Sequence, residues 1–284
     1  MTSDDLTALY KEVLDRVLKE DFRLPNLPDI TMKVRAAIDS DNTTAETLTQ
    51  LISKDPSLTA HLIQCASSPI YRRPVPPKTL SEVIGLLGFA ATNSLVMLHS
   101  VRNMIELKTT VEKHLFNHTW ERLIVKTSLA CFFAQKLGYR PVDQVQMAML
   151  LTEVGSLSVL SSMLEGPEPP NPAVYFQMCR QYSKALGDVL LRKWGVDSSI
   201  IKMLRHCGQW QETWEEKINL LDIANLSLYY TVLLTVKEPT LPNLDTLAVY
   251  EKIPNDLREC DKANWLNLVT ENNDEIQSFI SSLK

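Results

Sequence analysis

In this 284-residue chain Thr43 with Glu46, Thr79 with Glu82, and Thr213 with Glu216 each place a threonine three residues ahead of a glutamate and in front of an apolar run. At that spacing the hydroxyl and the carboxylate satisfy backbone N–H groups that every helix start leaves open, so each pair predicts a helix N-terminus. Asp55-Pro56 predicts another, with an acceptor at the cap and a proline where its missing N–H costs nothing. Asp29 opens a further helix, with Ile30, Val34, Ala37 and Ile38 on one side. From Asp4 to Lys19 the residues Leu6, Leu9, Val13, Leu14, Val17 and Leu18 recur at three- and four-residue intervals, which predicts a docking helix with one apolar face. Longer helical patterns run from about Ala90 to Leu107, His114 to Leu137 and Gln144 to Leu164, the last two closed by Gly138/Pro141 and Gly166/Pro167. Helices resume through Trp194 and after Asp197, and the tail beyond Pro239 reads as loop with short helices. Glycine, at 8 residues, is too scarce for the tight turns of a sheet protein. The fold class is all-α, in two lobes.

The charge balance narrows the partners. With 29 Lys+Arg against 34 Asp+Glu the formal charge is -5, so no basic excess exists to neutralise a phosphate backbone, and nucleic acid is not expected as a partner. Five dispersed cysteines without a Cys-x-x-Cys pair argue against a disulfide framework and a thiolate zinc site, and fit a reducing cytoplasm. The acidic start Met-Thr-Ser-Asp-Asp lacks the features of a secretory signal. The weakly charged stretch Ile223 to Val236 is too short to span a bilayer, so no membrane segment is expected.

Four elements in order carry a family resemblance. They are Leu24-Pro25-Asn26-Leu27-Pro28, then Leu51-Ile52-Ser53-Lys54-Asp55-Pro56-Ser57-Leu58-Thr59-Ala60, then Ala66-Ser67-Ser68-Pro69-Ile70-Tyr71, then Glu82-Val83-Ile84-Gly85-Leu86-Leu87-Gly88. In content and sequence they resemble the HDOD family of bacterial proteins, and weaker similarity continues through Trp120, Met149-Leu150-Leu151, Leu186-Gly187-Asp188 and His206. The resemblance implies a helical second lobe related to HD-type metal-dependent phosphohydrolases and a place in bacterial signal transduction. The resemblance covers roughly Phe22 to Tyr230, and together with the helical patterns it divides the chain into a docking helix over 1–21, an HDOD lobe over 22–108, an HD-like lobe over 109–236 and a helical extension over 237–284. Fold follows from such a likeness; activity does not.

HD chemistry needs histidines and carboxylates converging on a metal that activates water. Where the pattern expects His-Asp, this chain has Thr152-Glu153. The histidine expected after Trp120 falls on Arg122 or Leu123, and a guanidinium there would repel a cation. Another falls on Ser183 or Lys184, His206 is followed by Cys207, and Asn225 stands where a carboxylate is expected. Only His206, with Glu153 as a stand-in, could bind, which falls short of the three or more protein ligands of a catalytic transition metal. No catalytic residue, no metal ligand and no cofactor is therefore assigned. Thr152, Glu153, Ser183, His206 and Asn225 are vestigial positions.

Each candidate has a plainer reading. His206 lies beside Ile201, Leu204 and Cys207 and suits half-buried packing, while Glu153 could polarise a ligand, pair with a lysine or face water. Cys207 and His206 make a poor nucleophile and base, since neighbours on a helix point about a hundred degrees apart. Arg72, Arg73 and Lys78 bracket a proline-rich loop beside Tyr71 and either hold an anionic group or are simply solvated. Trp210 and Trp214, four residues apart, either form a recognition patch or plug the gap between lobes. The expectation is a cytoplasmic, non-catalytic signalling module that binds a signalling protein or small ligand, with Tyr71, Arg72, Arg73, Trp210 and Trp214 as candidate recognition surface. The alternative is a metal-dependent phosphohydrolase with an unusual ligand set.

Overall fold

The computed structural model describes residues 7, 9–11, 13–15, 29–40, 42–67, 71, 77–103, 105–165, 169–260 and 266–283. Among them the chain is helical without a strand, and a single isolated bridge joins Cys260 to Leu266. The helices are α1 (Asp29–Ile38), α2 (Ala45–Ile52), α3 (Pro56–Ala66), α4 (Leu80–Leu87), α5 (Phe89–Asn103), α6 (Thr110–Lys136), α7 (Val142–Leu150), α8 (Val154–Leu164), α9 (Pro172–Lys193), α10 (Ser198–His206), α11 (Leu220–Thr235), α12 (Asn267–Glu271) and α13 (Asn273–Leu283). The described residues between 7 and 15 are helical too, and Tyr10 stacks on Tyr182 of α9 at 4.1 Å. Leu24-Pro25-Asn26-Leu27-Pro28, Arg72 and Arg73 lie outside the described residues.

The caps show which sequence signals act. Asp55 Oδ1 accepts from the N–H groups of Ser57 and Leu58, both at 3.0 Å, and Pro56 occupies the first turn of α3. At α4 the Glu82 N–H donates to Thr79 Oγ1 at 3.1 Å, and Glu82 Oε2 accepts from the Lys78 N–H at 2.7 Å. Gly88 then takes φ +78, where a side chain would be strained, and the chain turns by 108° into α5. Two expected starts shift. The cap of α2 is Thr44, not Thr43, because the Thr43 hydroxyl donates to the Ala37 carbonyl and closes the preceding turn. Thr213 and Glu216 start no helix; α11 begins later, where Asn219 and Asp222 form the box. The long helix α6 starts at a box, Thr109 with Glu112, earlier than its apolar pattern suggests.

α6 is the pillar of the fold. Its 27 residues extend ~40 Å, and α7, α8, α11 and α13 all pack on it. From Leu123 to Ala134 every side chain but Val125 is buried, so an amphipathic stripe is absent there, as befits a helix enclosed on all sides. The first five helices pack mainly among themselves, with α5 reaching α7, while Arg35 of α1 donates to the carbonyls of Trp194 and Gly195, both at 2.6 Å. The tail returns to the core: Ile276, Phe279, Ile280 and Leu283 are buried, Lys136 pairs with Glu275 at 2.7 Å, and Lys252 reaches the buried Asp222 at 2.7 Å.

The pattern from Gln144 to Leu164 is not one helix. It breaks at Leu151–Glu153, where Thr152 and Val154 donate to the carbonyls three residues back and the Thr152 hydroxyl bonds the Met149 carbonyl at 2.6 Å. Among the described residues this stretch, rather than Ile223 to Val236, is long and apolar enough to cross a membrane, yet 67% of its most apolar 18-residue window is buried inside the protein. Its apolarity is that of core helices.

Candidate functional site

The break between α7 and α8 opens one side of a cavity of about 550 Å³, walled also by α6, α9, α10 and α11. α6 turns one face to it, His118, Arg122 and Lys126 at four-residue intervals. α9 contributes Phe176, Cys179, Arg180, Ser183 and Lys184. The helices α8 and α9 meet backbone to backbone, for a Cβ on Gly155 would lie 1.8 Å from the Ser183 carbonyl oxygen. That approach carries Ser183 to the same wall as Thr152 and Glu153.

Inside the cavity an ammonium faces the one carboxylate. Lys126 Nζ lies 2.6 Å from Glu153 Oε1, the side chains being 4% and 13% exposed, and Ser156 Oγ donates to Glu153 Oε2 at 2.8 Å. Burial alone would push the Glu153 carboxyl up; the charges of Lys126 and Arg122 and the hydrogen bonds from Lys126 and Ser156 outweigh it, so the net shift is downward. Both carboxylate oxygens are thus occupied by donors. Lys126 was not singled out in the sequence, although a lysine within Leu123-Ile124-Val125-Lys126-Thr127-Ser128-Leu129 is a charge set in a buried run. The lysine reading of Glu153, left open among three, is the one observed.

The other vestigial positions diverge. His206 turns from the cavity, its Nδ1 at 2.7 Å from Glu212 Oε2 and its ring edge-on to Trp214. Asn225 clamps a loop: its Oδ1 accepts from the Gly208 N–H at 2.7 Å, and its Nδ2 donates to the Gln209 carbonyl at 3.4 Å. Cys207 is buried, and burial pushes its thiol up. Among the described residues no three His, Cys, Asp or Glu side chains come together as a metal would require. The donor set does not fit a catalytic metal, and the Lys126 ammonium already supplies the cation that Glu153 needs.

A family model described as HDOD domain matches residues 24–209. The chain belongs to the HDOD family. Solved structures agree on the fold. One from Shewanella amazonensis, named as a candidate metal-dependent phosphohydrolase, covers 99% of this HDOD chain and 100% of its own, with TM-score 0.76 and 17% identity. An HDOD domain protein with unknown function from Geobacter sulfurreducens covers 99% and 98%, with TM-score 0.66 and 15% identity. A candidate signal transduction protein from Marinobacter aquaeolei covers 97% of this chain and 66% of its own, with TM-score 0.63 and 16% identity. Among curated proteins none matches. At these identities the likeness is one of fold.

Of the expected recognition residues of the HDOD chain, the described ones, Tyr71, Trp210 and Trp214, are half-buried and pack against the core. Trp210 and Trp214 lie in the non-helical segment after Gly208, so the one-face argument from four-residue spacing does not apply. Trp210 meets Tyr229 edge-on at 6.0 Å. Trp214 donates from Nε1 to Glu212 Oε1 at 2.9 Å and carries the Lys202 ammonium 4.3 Å from its ring. Tyr71 lines a second cavity of about 410 Å³, beside Cys65, Leu87 and Arg140.

Proposed function

We propose that this HDOD protein is a cytoplasmic, non-catalytic regulatory module of signal transduction, which binds a protein partner or small ligand through a degenerate phosphohydrolase fold. The observation that carries the reading is the 2.6 Å contact of Lys126 with Glu153. In the HD pattern this position bears a metal-ligating carboxylate, and here an internal cation neutralises it, so the water-activating ion has neither its ligands nor a favourable potential. A concave, cation-lined cavity persists, and concave sites recognise ligands whether or not they transform them. Membership in the HDOD family and the signal transduction name of the Marinobacter structure support the regulatory reading.

With Mn, Mg, Fe or Zn supplied, the purified protein is expected to hydrolyse neither nucleotides nor model phosphodiesters above the rate without protein. Metal-dependent turnover that follows the protein through purification, and disappears in a folded His206→Ala variant, would overturn the reading in favour of a phosphohydrolase.

A further inference from the structure

Four cationic side chains, Arg122, Lys126, Arg180 and Lys184, line the cavity with one carboxylate, Glu153. Two of the four are committed, Lys126 to Glu153 and Lys184 to the Cys207 carbonyl. Among the described residues the guanidinium groups of Arg122 and Arg180 make no hydrogen bond or ion pair, although the Arg122 charge is felt at Glu153. The Nε of Arg122 is moreover sealed from solvent without an acceptor. A buried donor on a permanently charged group is costly unless an acceptor arrives, and the planar fork of a guanidinium matches an oxyanion at two points. The neighbouring thiols add no negative charge, since burial pushes Cys179 up to about 12 and Cys207 upward as well. The rest of the wall includes Phe176, Leu204, Leu228 and Val236, an apolar surface. At about 550 Å³ the space is that of a small-molecule site and exceeds what a lone oxyanion fills.

We propose that this cavity binds a phosphorylated small molecule of nucleotide size, its phosphate held by Arg122 and Arg180 and its uncharged part resting on Phe176 and the apolar wall. A phosphate monoester suits the site better than a carboxylate. Two uncommitted guanidinium groups beside two lysines present more positive charge than a monoanion neutralises, and a phosphate offers three acceptor oxygens. This inference deepens the proposed function by naming the ligand class, and it rests on the cavity being a recognition site.

The test is calorimetric titration of the full chain with AMP, GMP, adenosine and inorganic phosphate at two salt concentrations, beside Arg180→Ala and Arg122→Gln. Arg180 is solvent-exposed on α9, so its truncation leaves the fold intact, and a thermal melt checks each variant. A nucleoside monophosphate is expected to bind, with inorganic phosphate competing for it. Removing its phosphate or the Arg180 guanidinium is expected to weaken binding roughly tenfold, and added salt to weaken it further. Absence of binding by AMP and GMP at millimolar concentration, adenosine binding as well as AMP, or equal binding by both folded variants would overturn the proposal. Hydrolysis of a bound nucleotide would sustain this inference while overturning the non-catalytic reading. Partner capture in the absence of nucleotide binding would overturn this inference and sustain the regulatory one.

Discussion

Glu153→Ala is expected to destabilise the protein by about 3–5 kcal/mol, because it leaves the Lys126 ammonium buried without its counter-charge. The ammonium cannot escape to water, since Lys126 projects from the middle of α6 and is 4% exposed. Ser156 loses its acceptor in the same variant. Lys126→Met should be similarly damaging, as it strands the Glu153 carboxylate, whereas Lys126→Met combined with Glu153→Leu should recover most of the loss by removing both charges. Urea unfolding of the four proteins measures this directly. Single variants within about 1 kcal/mol of wild type, or a double variant no better than the worse single one, would show that the pair is not the buried contact described. The pH dependence has a definite sign. The Glu153 carboxyl is depressed in the folded state, so the pair's contribution is fully present above the ordinary Glu value of 4.5 and is lost as the pH falls below it.

Gly155→Ala is expected to be nearly as severe. The added methyl carbon would stand 1.8 Å from the Ser183 carbonyl oxygen, 2.7 Å from its carbon and 2.9 Å from the Gly187 nitrogen, all backbone atoms that no rotamer change can move. α8 and α9 would have to separate, at a cost of ~3 kcal/mol, offset by at most about 1 kcal/mol of improved helix propensity. Gly187→Ala is the control on the same crossing. Its methyl meets the end of the Leu204 side chain at 3.0 Å, which can swing aside, so the change should lie near neutral. Denaturation midpoints that rank the two variants the other way would contradict the close approach of α8 and α9.

The difference between these glycines is invisible in the sequence, because it depends on which helix lies opposite. What the sequence made legible was local chemistry. Thr79 with Glu82 and Asp55 with Pro56 start helices as their spacing predicts, since capping uses atoms within one turn. Thr213 with Glu216 has the same spacing and starts nothing, because the chain from Gly208 is tied elsewhere, by Asn225 and by the Ala248 N–H on the Trp210 carbonyl. The HDOD elements gave the fold, and the replaced motif residues pointed to the region around Thr152-Glu153. Lys126 carries no local signal of its role, since its partner Glu153 is brought to it by the break after Leu150. His206 and Asn225, grouped with Glu153 by the HD pattern, serve a neighbouring loop instead.

In the function proposed above, the Lys126 ammonium stands where the HD pattern would hold a metal ion, and metal binding by the full chain tests this most directly. After incubation with Mn, Fe or Zn and removal of loose ions by desalting, elemental analysis is predicted to find far less than one equivalent of any of them. One tightly held equivalent in the wild type, lost in a folded Glu153→Gln variant, would contradict the account.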